Sequence, residues 1–363
     1  MKLIEEYVAQ AQAGGASDIH LVRGLTPRYR VDGAIREMDS EPLTAPQCEN
    51  IVRELAGGEF GNLRVVGEAD LALTIAGVRC RLNLFRQQGA WSAAIRLLNE
   101  HIPELSELGL PTAAAEFPAY SQGLVLITGE TGSGKSTTLA AILNQINRRE
   151  RKHILTLEDP IEYVYTPDKC VINQREVGKD TQSFAAGLRA ALREDPDVIL
   201  VGEMRDLETI ETALTAAETG HLVFGTVHTN SAADSIDRIV DVFPAARQQQ
   251  IRLQLSMSLK AVLSQQLLPK VGGGRVLACE VMKVDGAIRN LIREGKTPQI
   301  ANAIQTTGAI GNILMDRCLQ NLVGAGTISR ETYASALRDQ SQADRFPAAP
   351  GRPAAPGFKR PPQ

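Results

Sequence analysis

The sequence is poor in aromatic residues and cysteines, and it contains no long apolar run. Phe, Trp and Tyr make up only 4% of the 363 residues. No apolar run approaches the roughly 18 residues that cross a bilayer, and the N-terminus lacks the continuous apolar stretch of a signal peptide. The five cysteines form no CxxC pair, so the spacing of a zinc site is absent. These absences predict a soluble protein in a reducing cytoplasm.

Charge of one sign is not in excess either. The 39 basic and 42 acidic residues give a net charge of −3. Proteins that bind nucleic acid without sequence specificity usually carry a basic excess, and single-strand motors use aromatic side chains for stacking. We therefore expect no nucleic-acid partner. The hydrophobic residues, 43% of the chain, are enough for a sizeable core, and the length predicts two or three domains.

The first hundred residues have the pattern of a small α+β unit. An apolar repeat of helical spacing predicts a helix that ends at Gly14. Two short extended runs joined by Asp32-Gly33 predict a hairpin with a type I′ turn. Thr44 and Gln47 have the spacing of a capping box and predict a second helix. Alternating apolar and polar residues then predict strands with one buried face.

Composition shifts divide the rest of the chain. Pro103, Gly109 and Pro111 mark a linker, and the β-rich runs that alternate with helical ones from Gly123 indicate a parallel α/β sheet. After Phe243 the chain is predicted to be mainly helical, with one apolar stripe formed by Ile251, Leu255, Leu259, Val262 and Leu263. The predicted divisions are 1–98 for an N-terminal domain, 99–111 for the linker, 112–340 for a parallel α/β domain with a helical region from about 245, and 341–363 for a Pro-rich disordered tail.

The segment 129–136 matches the Walker A pattern GxxxxGK[ST]. Glycines let such a loop curl so that its N–H groups face a β-phosphate. Lys135 supplies positive charge to the β- and γ-phosphates, and the Ser136 hydroxyl is suited to ligate Mg²⁺. A buried strand precedes the loop and an apolar helical repeat follows it, which is the context that a P-loop requires, so we predict that ATP and Mg²⁺ bind here. The predicted ATP-binding residues are Gly129, Thr131, Gly132, Ser133, Gly134, Lys135, Ser136 and Thr137.

Two acidic residues follow predicted strands. Glu158 follows the predicted strand Ile154–Leu157, which Pro160 ends. Glu203 follows the predicted strand Val198–Val201. In open α/β sheets ligands bind beyond the carboxyl ends of the strands, so both carboxylates are expected at the phosphate site. We predict that Glu203 is the base that activates water, and that Glu158 acts through Mg²⁺-bound water or positions the attacking water. The alternative for each is a solvated acid at a strand end.

Two histidines bracket another predicted strand. His221 and His228 are seven residues apart, about 23 Å in extended chain, so both cannot contact one γ-phosphate unless the strand bends. His228 lies at the carboxyl end and is predicted to sense the phosphate. For His221, a structural hydrogen bond and a catalytic contact both stay open.

Four motifs in this order resemble those of the secretion ATPase superfamily that powers type IV pili and type II secretion. They are GETGSGKST at 129–137, ILTLEDPIEYVY at 154–165, LREDPDVILVGEMRD at 192–206 and HLVFGTVHT at 221–229. The resemblance extends to about Arg338. It implies that Glu203 is the family's catalytic glutamate and Glu158 the first glutamate of its acidic box. It also implies an α/β fold with a PAS-like N-terminal domain, a RecA-like ATPase domain and a ring of six subunits.

Within the superfamily, the chain most resembles the retraction ATPases of twitching motility. The segment 287–294, AIRNLIRE, matches a motif associated with that group, and the paired CxxC motif of the assembly and type II secretion ATPases is absent. The resemblance implies ATP-driven pilus retraction at the inner membrane, with a platform protein and optionally a paralogous retraction ATPase as partners. A pilus-assembly or type II secretion ATPase is the alternative. The residues of this motif are Ala287, Ile288, Arg289, Asn290, Leu291, Ile292, Arg293 and Glu294.

The AIRNLIRE segment also has an ordinary structural interpretation. Ile288, Leu291 and Ile292 share one helical face, and Arg289 and Arg293 form an i, i+4 pair on another. This is the pattern of an amphipathic surface helix whose apolar side packs on a core. The role in retraction therefore rests on the resemblance.

Arg81 and Arg96 match arginines of the N-terminal domain in this superfamily. An arginine that arrives from another domain or subunit stabilises charge on the γ-phosphoryl group in the transition state. The alternative is a solvated arginine on the polar side of an alternating strand.

Two functions of other classes stay open. One is a nucleotide-controlled binding module that changes shape without useful turnover, which the two glutamates argue against. The other is a nucleic-acid motor, since RecA-like cores also drive helicases, and the charge and aromatic content argue against it.

Overall fold

The computed structural model describes residues 2–31, 34–38, 40–98 and 101–337. These residues form two sheets, one of six strands and one of seven, with helices packed on each. The α/β architecture predicted from the sequence is therefore confirmed. None of the described helices is both long and apolar enough to cross a membrane.

The first sheet contains the strand order β3-β2-β1-β6-β5-β4, and every neighbouring pair is antiparallel. The elements are α1 Lys2–Ala13, β1 Asp18–Leu21, β2 Arg28–Val31, β3 Ala34–Glu37, α2 Ala45–Ala56, α3 Phe60–Val66, β4 Glu68–Ile75, β5 Val78–Gln87 and β6 Ala90–Leu97.

Local sequence explains these elements. Along β5 the apolar residues are buried and alternate with half-exposed polar ones, as a sheet with one covered face requires. The capping box at the start of α2 is confirmed, because Thr44 N donates to Gln47 Oε1 at 2.8 Å and Gln47 N donates to Thr44 Oγ1. The predicted hairpin is formed by β2 and β3. Its turn, Asp32-Gly33, lies outside the described residues.

The second sheet has the order β13-β12-β7-β11-β10-β8-β9. All of its pairs are parallel except β12 with β13. The strands are β7 Gly123–Thr128, β8 His153–Glu158, β9 Val171–Glu176, β10 Val198–Val201, β11 Leu222–Val227, β12 Leu259–Pro269 and β13 Arg275–Lys283. The helices are α4 Lys135–Arg149, α5 Phe184–Ala191, α6 Leu207–Glu218, α7 Ala232–Asp241, α8 Ala245–Ser258, α9 Gly286–Arg293, α10 Ile300–Thr306, α11 Met315–Gly324 and α12 Arg330–Ala336.

This sheet places the ends of four motifs side by side. Strands β7, β10 and β11 are buried along their whole length, and β11 lies at the centre of the sheet between the other two. Because the strands from β7 to β8 are parallel, their carboxyl ends meet at one edge. The P-loop, the acidic box and the segments that carry Glu203 and His228 all begin there.

The prediction of a mainly helical region from about 245 was wrong in part. Ile251 and Leu255 do lie on α8, but Leu259, Val262 and Leu263 belong to β12. Strand β12 lies between β7 and β13 and is buried on both faces. Such a strand has apolar residues in nearly every position, and periodicity alone does not distinguish it from a buried helix.

Two short 3₁₀ helices, Leu105–Leu108 and Thr112–Ala119, connect the sheets. Leu105 and Phe117 are buried in the core of the second sheet, so the later part of the predicted linker packs on that sheet. Residues 99 and 100, and the predicted tail from 341, lie outside the described residues. The domain limits stay a prediction.

Candidate active site

The loop between β7 and α4 has the backbone conformation of a P-loop. Gly132 and Gly134 have φ values of 82° and 90°, in the left-handed region that favours glycine. A Cβ on Gly129 would lie 2.4 Å from the main-chain oxygen of Gln265 and 2.5 Å from Ser133 Oγ. No side chain fits in that space. The glycines of the motif are thus required by the fold of the loop as well as by close approach to a phosphate.

Lys135 lies at the first position of α4 and points back across the loop. Its Nζ donates to the main-chain oxygens of Gly129 at 2.8 Å and of Glu130 at 2.9 Å. Burial lowers the pKa of the Lys135 ammonium, while the carboxylates of Glu203 and Glu162 act in the opposite direction. The ammonium therefore lies at the mouth of the loop, next to the helix N-terminus that favours an anion.

A cavity of about 370 Å³ lies in front of this loop. It brings together five groups that the sequence predicted separately, which are Lys135 with Ser136, Glu158, Glu203, His228 and Arg81. Asp159, Glu162, Tyr163, Arg205 and Thr226 also border it. Glu158, Glu203, Lys135 and the second histidine of the fourth motif, His228, thus share one site.

Glu203 lies where β10 ends, beside the end of β8. Gly202 N donates to the main-chain oxygen of Leu157 at 2.8 Å, and a Cβ on Gly202 would lie 2.9 Å from that oxygen. This close approach directs the Glu203 side chain into the cavity. Its Oε1 lies 3.1 Å from His228 Nε2 and also contacts Arg205 Nε. The carboxylate is therefore held between two nitrogen donors.

Glu158 is in a different environment at the end of β8. Its Oε1 accepts hydrogen bonds from Thr156 Oγ1 at 2.6 Å and from Gln174 Nε2 at 3.1 Å. Burial raises the pKa of the Glu158 carboxyl, the hydrogen bonds from Thr156, Gln174 and the backbone N–H of Glu162 lower it, and the charge of the Glu162 carboxylate raises it. Two carboxyl groups in one cavity thus have distinct surroundings, one beside cationic groups and one among neutral donors.

A third carboxylate, that of Glu176, binds the backbone of the loop that follows Glu158. Glu176, at the end of β9, is 5% exposed and accepts a hydrogen bond from Ile161 N. Its Oε2 lies 3.6 Å from Arg79 Nη2, and Arg79 belongs to β5 of the first sheet. The loop that follows Glu158 is therefore fixed to both sheets. No local sequence pattern indicates Glu176, because Ile161 and Arg79 are distant from it in sequence.

The two histidines lie at opposite ends of β11. His228 borders the cavity, and burial lowers its pKa, as does the charge of Lys135, while Glu203 raises it. His221 Nδ1 instead lies 3.0 Å from the main-chain oxygen of Ala216, at the end of α6. The structure thus gives His221 a hydrogen bond far from the phosphate loop.

The two predicted arginines separate in the same way. Arg81 and Arg96 are register partners on β5 and β6, but only Arg81 borders the cavity. Arg96 Nε donates to Asp18 Oδ1 at 2.9 Å, and its side chain is 61% exposed. Within one chain, Arg96 therefore contacts the first sheet and solvent.

A larger cavity of about 1060 Å³ adjoins the site between the two sheets. Gly134, Thr137 and Thr138 form the P-loop side, and Leu97 and Leu98 lie on the wall from the first sheet. Its size is at the upper end of small-molecule pockets. The hydroxyls of Thr137 and Tyr163 lie 2.9 Å apart, and Tyr163 borders both cavities.

The AIRNLIRE segment lies on α9 and its C-terminal end. Asp285 caps this helix by accepting from Ile288 N at 2.8 Å. Ile288 and Ile292 are fully buried, whereas Arg289 and Arg293 are exposed. None of its eight residues, all of them described, borders either cavity.

Sequence reasoning also missed Arg205, Asn230 and Gln265. Arg205 is two residues from Glu203 and contacts it. Asn230 Nδ2 donates to Glu130 Oε1 at 3.0 Å and so joins the fourth motif to the P-loop. Gln265 Nε2 donates to Thr138 Oγ1 at 2.8 Å. Arg205 and Asn230 lie within or beside quoted motifs, whereas Gln265 lies on the strand that was predicted as helix.

In the described part of the chain, no group of three or more His, Cys, Asp or Glu residues is arranged to hold a metal ion.

Known proteins with this sequence pattern share the fold. A Pseudomonas aeruginosa protein described as the type IV pilus retractation ATPase PilT is 50% identical over 330 residues, 90% of this chain and 96% of that protein. A Neisseria gonorrhoeae twitching motility protein is 48% identical over 309 residues, 84% of this chain and 83% of its own. The crystal structure of the pilus retraction motor PilT with bound ADP has a TM-score of 0.88 at 48% identity, covering 94% of this chain and 99% of that one.

These similarities agree with the fold class expected from the four motifs. The family model described as "Type II/IV secretion system protein" matches residues 1–345, which is nearly the whole chain. With that match, and with half of the residues shared with a retraction ATPase over most of both chains, the protein belongs to the type II/IV secretion system protein family.

Proposed function

We propose that this protein is an ATP-hydrolysing motor that drives the retraction of type IV pili. One observation carries the proposal: Lys135, Glu158, Glu203 and His228 border a single cavity at the P-loop. The chain that contains it is 50% identical to a pilus retraction ATPase.

ATP binds across the two cavities. The P-loop N–H groups and Lys135 bind the β- and γ-phosphates in the smaller one, where the N-terminus of α4 adds its partial positive charge. The nucleoside extends into the larger cavity past Gly134, Thr137 and Thr138. Its other wall belongs to the first sheet, so a bound nucleotide contacts both sheets.

The oxygen atoms around the phosphate cavity would hold Mg²⁺ together with the nucleotide. The Ser136 hydroxyl borders the phosphate cavity together with the Glu158 and Glu203 carboxylates, and oxygen atoms are the ligands that Mg²⁺ prefers. Ser136 would hold the ion jointly with the phosphates. When bound, Mg²⁺ offsets the negative charge of the triphosphate.

Glu203 removes a proton from the attacking water. It lies at the mouth of the cavity, and its contact with His228 aligns the carboxylate. Glu158 positions that water from the other side. His228, whose pKa is lowered, stays neutral at pH 7 and has a single N–H, which donates to Glu203 in this structure and can turn to a γ-phosphate oxygen when the nucleotide binds.

Cationic side chains complete the site. Arg81 supplies charge from the first sheet of the same chain, and Arg205 is placed to move from Glu203 to the γ-phosphoryl group. Arg96 is exposed and completes the site of a neighbouring subunit in a six-membered ring. The ring acts at the inner membrane on a pilus platform protein, and a paralogous ATPase is a further candidate partner.

Deletion in the native host tests the direction of force. Pili per cell and surface motility are counted in the same deletion strain and in a strain complemented with the wild-type gene. Loss of motility with more pili than in the parent supports retraction. Loss of both supports the alternative, a pilus-assembly ATPase. Unchanged motility and pili would contradict both.

A further inference from the structure

Two cysteines, one on β13 and one on α11, contact each other outside the active-site cavity. Cys279 lies on β13 and is fully buried, and Cys318 lies on α11 and is half-buried. Cys279 N donates to Cys318 Sγ at 3.4 Å, and each thiol shifts the pKa of the other. Helix α11 packs on β13, so the contact is fixed by two elements of the core.

The contact makes the two sulfur atoms chemically unequal. The N–H and S–H donors of Cys279 stabilise a thiolate on Cys318 and lower its pKa to about 7, although burial acts in the opposite direction. The same hydrogen bond, together with burial, raises the pKa of Cys279 well above its usual range. The half-buried Cys318 is thus the nucleophile of the pair and Cys279 the proton donor.

The remaining cysteines differ from this pair. Cys48, Cys80 and Cys170 are all buried, and burial raises the pKa of each thiol. They lie on α2, on β5 and just before β9. They provide internal controls for any thiol chemistry.

We propose that Cys279 and Cys318 form a redox modification site, a dithiol that a peroxide converts to a disulfide and that thereby slows the ATPase. The thiolate of Cys318 attacks one oxygen of the peroxide. The S–O bond forms, the O–O bond breaks, and the departing oxygen leaves as water after taking up a proton. Cys279 sulfur then attacks the Cys318 sulfur, the S–O bond breaks, and the thiol proton of Cys279 leaves in a second water. Two thiols and one hydrogen peroxide thus yield one disulfide and two waters, and a dithiol reductant reverses the change.

The modification site is connected to the P-loop through one strand. Cys279 is the register partner of Gln265 on β12. Gln265 Nε2 donates to Thr138 on the P-loop helix at 2.8 Å, and its main-chain oxygen is the atom that excludes a side chain at Gly129. Closing the two sulfurs from hydrogen-bond contact to a covalent bond draws β13 and α11 together. A shift of β13 is therefore transmitted to both ends of the P-loop.

A second connection leads to the histidine motif. Glu280, next to Cys279, is 4% exposed and accepts from Met315 N at 3.3 Å, at the start of α11. Its other oxygen accepts from Ala232 N at 2.8 Å, at the start of α7. That helix begins two residues after Asn230, which binds the P-loop residue Glu130. The same shift therefore reaches the active site from two directions.

Peptide mapping tests the modification itself. The purified full-length protein is treated with hydrogen peroxide, alkylated without reduction, digested and analysed by mass spectrometry. We expect a cross-linked peptide pair with Cys279 and Cys318, lighter by two hydrogens, in the wild type and in the control Cys48→Ala. Cys318→Ser should not form it. A folded wild type that yields no such pair, or that first joins other cysteines, overturns the proposal.

The ATPase measurement tests the connection and rests on the proposed function. We expect kcat/KM for ATP to fall roughly 5-fold or more on oxidation, to recover with dithiothreitol, and to stay unchanged in peroxide-treated Cys318→Ser. A complete cross-link with unaltered kcat/KM overturns the inhibitory role. An untreated wild type that does not hydrolyse ATP would instead contradict the proposed function, so the two failures are distinguishable. Since Cys318 is half-buried, thermal unfolding of Cys318→Ser confirms that the variant is folded.

Discussion

At the scale of the residue, Glu203 is expected to act in hydrolysis and not in binding. The change to glutamine keeps the shape of the side chain but removes its ability to accept a proton. We expect Glu203→Gln to bind a fluorescent ATP analogue normally and to release phosphate about 10²-fold more slowly or worse. Glu208→Gln is a matched control, because Glu208 is an exposed carboxylate close by in sequence that pairs with Arg189. Loss of binding in Glu203→Gln would instead mean a structural role.

Ionisation of the buried Glu158 carboxyl is expected to lower the stability of the folded protein as the pH rises. Burial raises the pKa of this carboxyl above its usual 4.5, so the folded state binds the proton more tightly than the unfolded state does. Its contribution to stability is complete below pH 4.5 and is lost as the pH rises through the folded-state pKa. In Glu158→Gln the amide oxygen can keep both hydrogen bonds that Oε1 accepts. We therefore expect a thermal midpoint above that of the wild type at pH 7, with the difference shrinking toward pH 4. A constant difference across this range would contradict the assigned cause.

At the residue scale, sequence patterns indicated which side chains lie together, and the roles assigned to those side chains stay predictions. Lys135, Glu203 and His228 were predicted at one site, and all three border one cavity. Each lies in a contiguous motif at the end of a predicted strand, and the ends of parallel strands meet by geometry. Glu176 and Gln265 were missed because their roles depend on partners more than ten residues away, which local patterns do not encode.

At the scale of the element, one buried glutamate joins three pieces of secondary structure. Glu280 on β13 caps α7 and α11 through Ala232 N and Met315 N. Glu280→Ala leaves both N–H groups without this buried acceptor, and we expect a loss of about 2–4 kcal/mol in the free energy of unfolding. Urea unfolding measures this. Glu280→Gln retains one acceptor oxygen and should cost less; an equal loss in both variants would count against the capping role.

Elements with strong local signals were predicted correctly from the sequence. The capping box of α2, the strand before the P-loop and the alternating strand β5 each have a pattern that only one element type satisfies. Strand β12 was not recognised, because it is buried between β7 and β13. Its apolar residues also fit a helical stripe that continues from α8. Only the neighbouring strands decide between the two.

At the scale of the whole molecule, the placement of Arg96 predicts that subunits share active sites. Lys135→Ala subunits keep Arg96, and Arg96→Ala subunits keep the P-loop. We expect each variant alone to hydrolyse ATP poorly and a mixture to recover activity, measured by phosphate release, with mixed rings confirmed by native mass spectrometry.

A control mixture separates shared sites from simple dilution. Lys135 and Glu203 border the same cavity of one chain, so mixing Lys135→Ala with Glu203→Gln should restore nothing. Confirmed mixed rings of Lys135→Ala and Arg96→Ala without recovery would show that Arg96 does not complete a neighbour's site. A monomer that is fully active at every concentration would contradict the ring.

Hydrolysis at the Glu203 cavity is proposed to power pilus retraction. The most direct test complements the deletion strain with Glu203→Gln or with the control Glu208→Gln at matched protein levels, and counts pili and surface motility in each. We expect Glu208→Gln to restore motility, whereas Glu203→Gln should leave cells with excess pili and no motility. Normal motility with Glu203→Gln, or loss of both pili and motility, would contradict it.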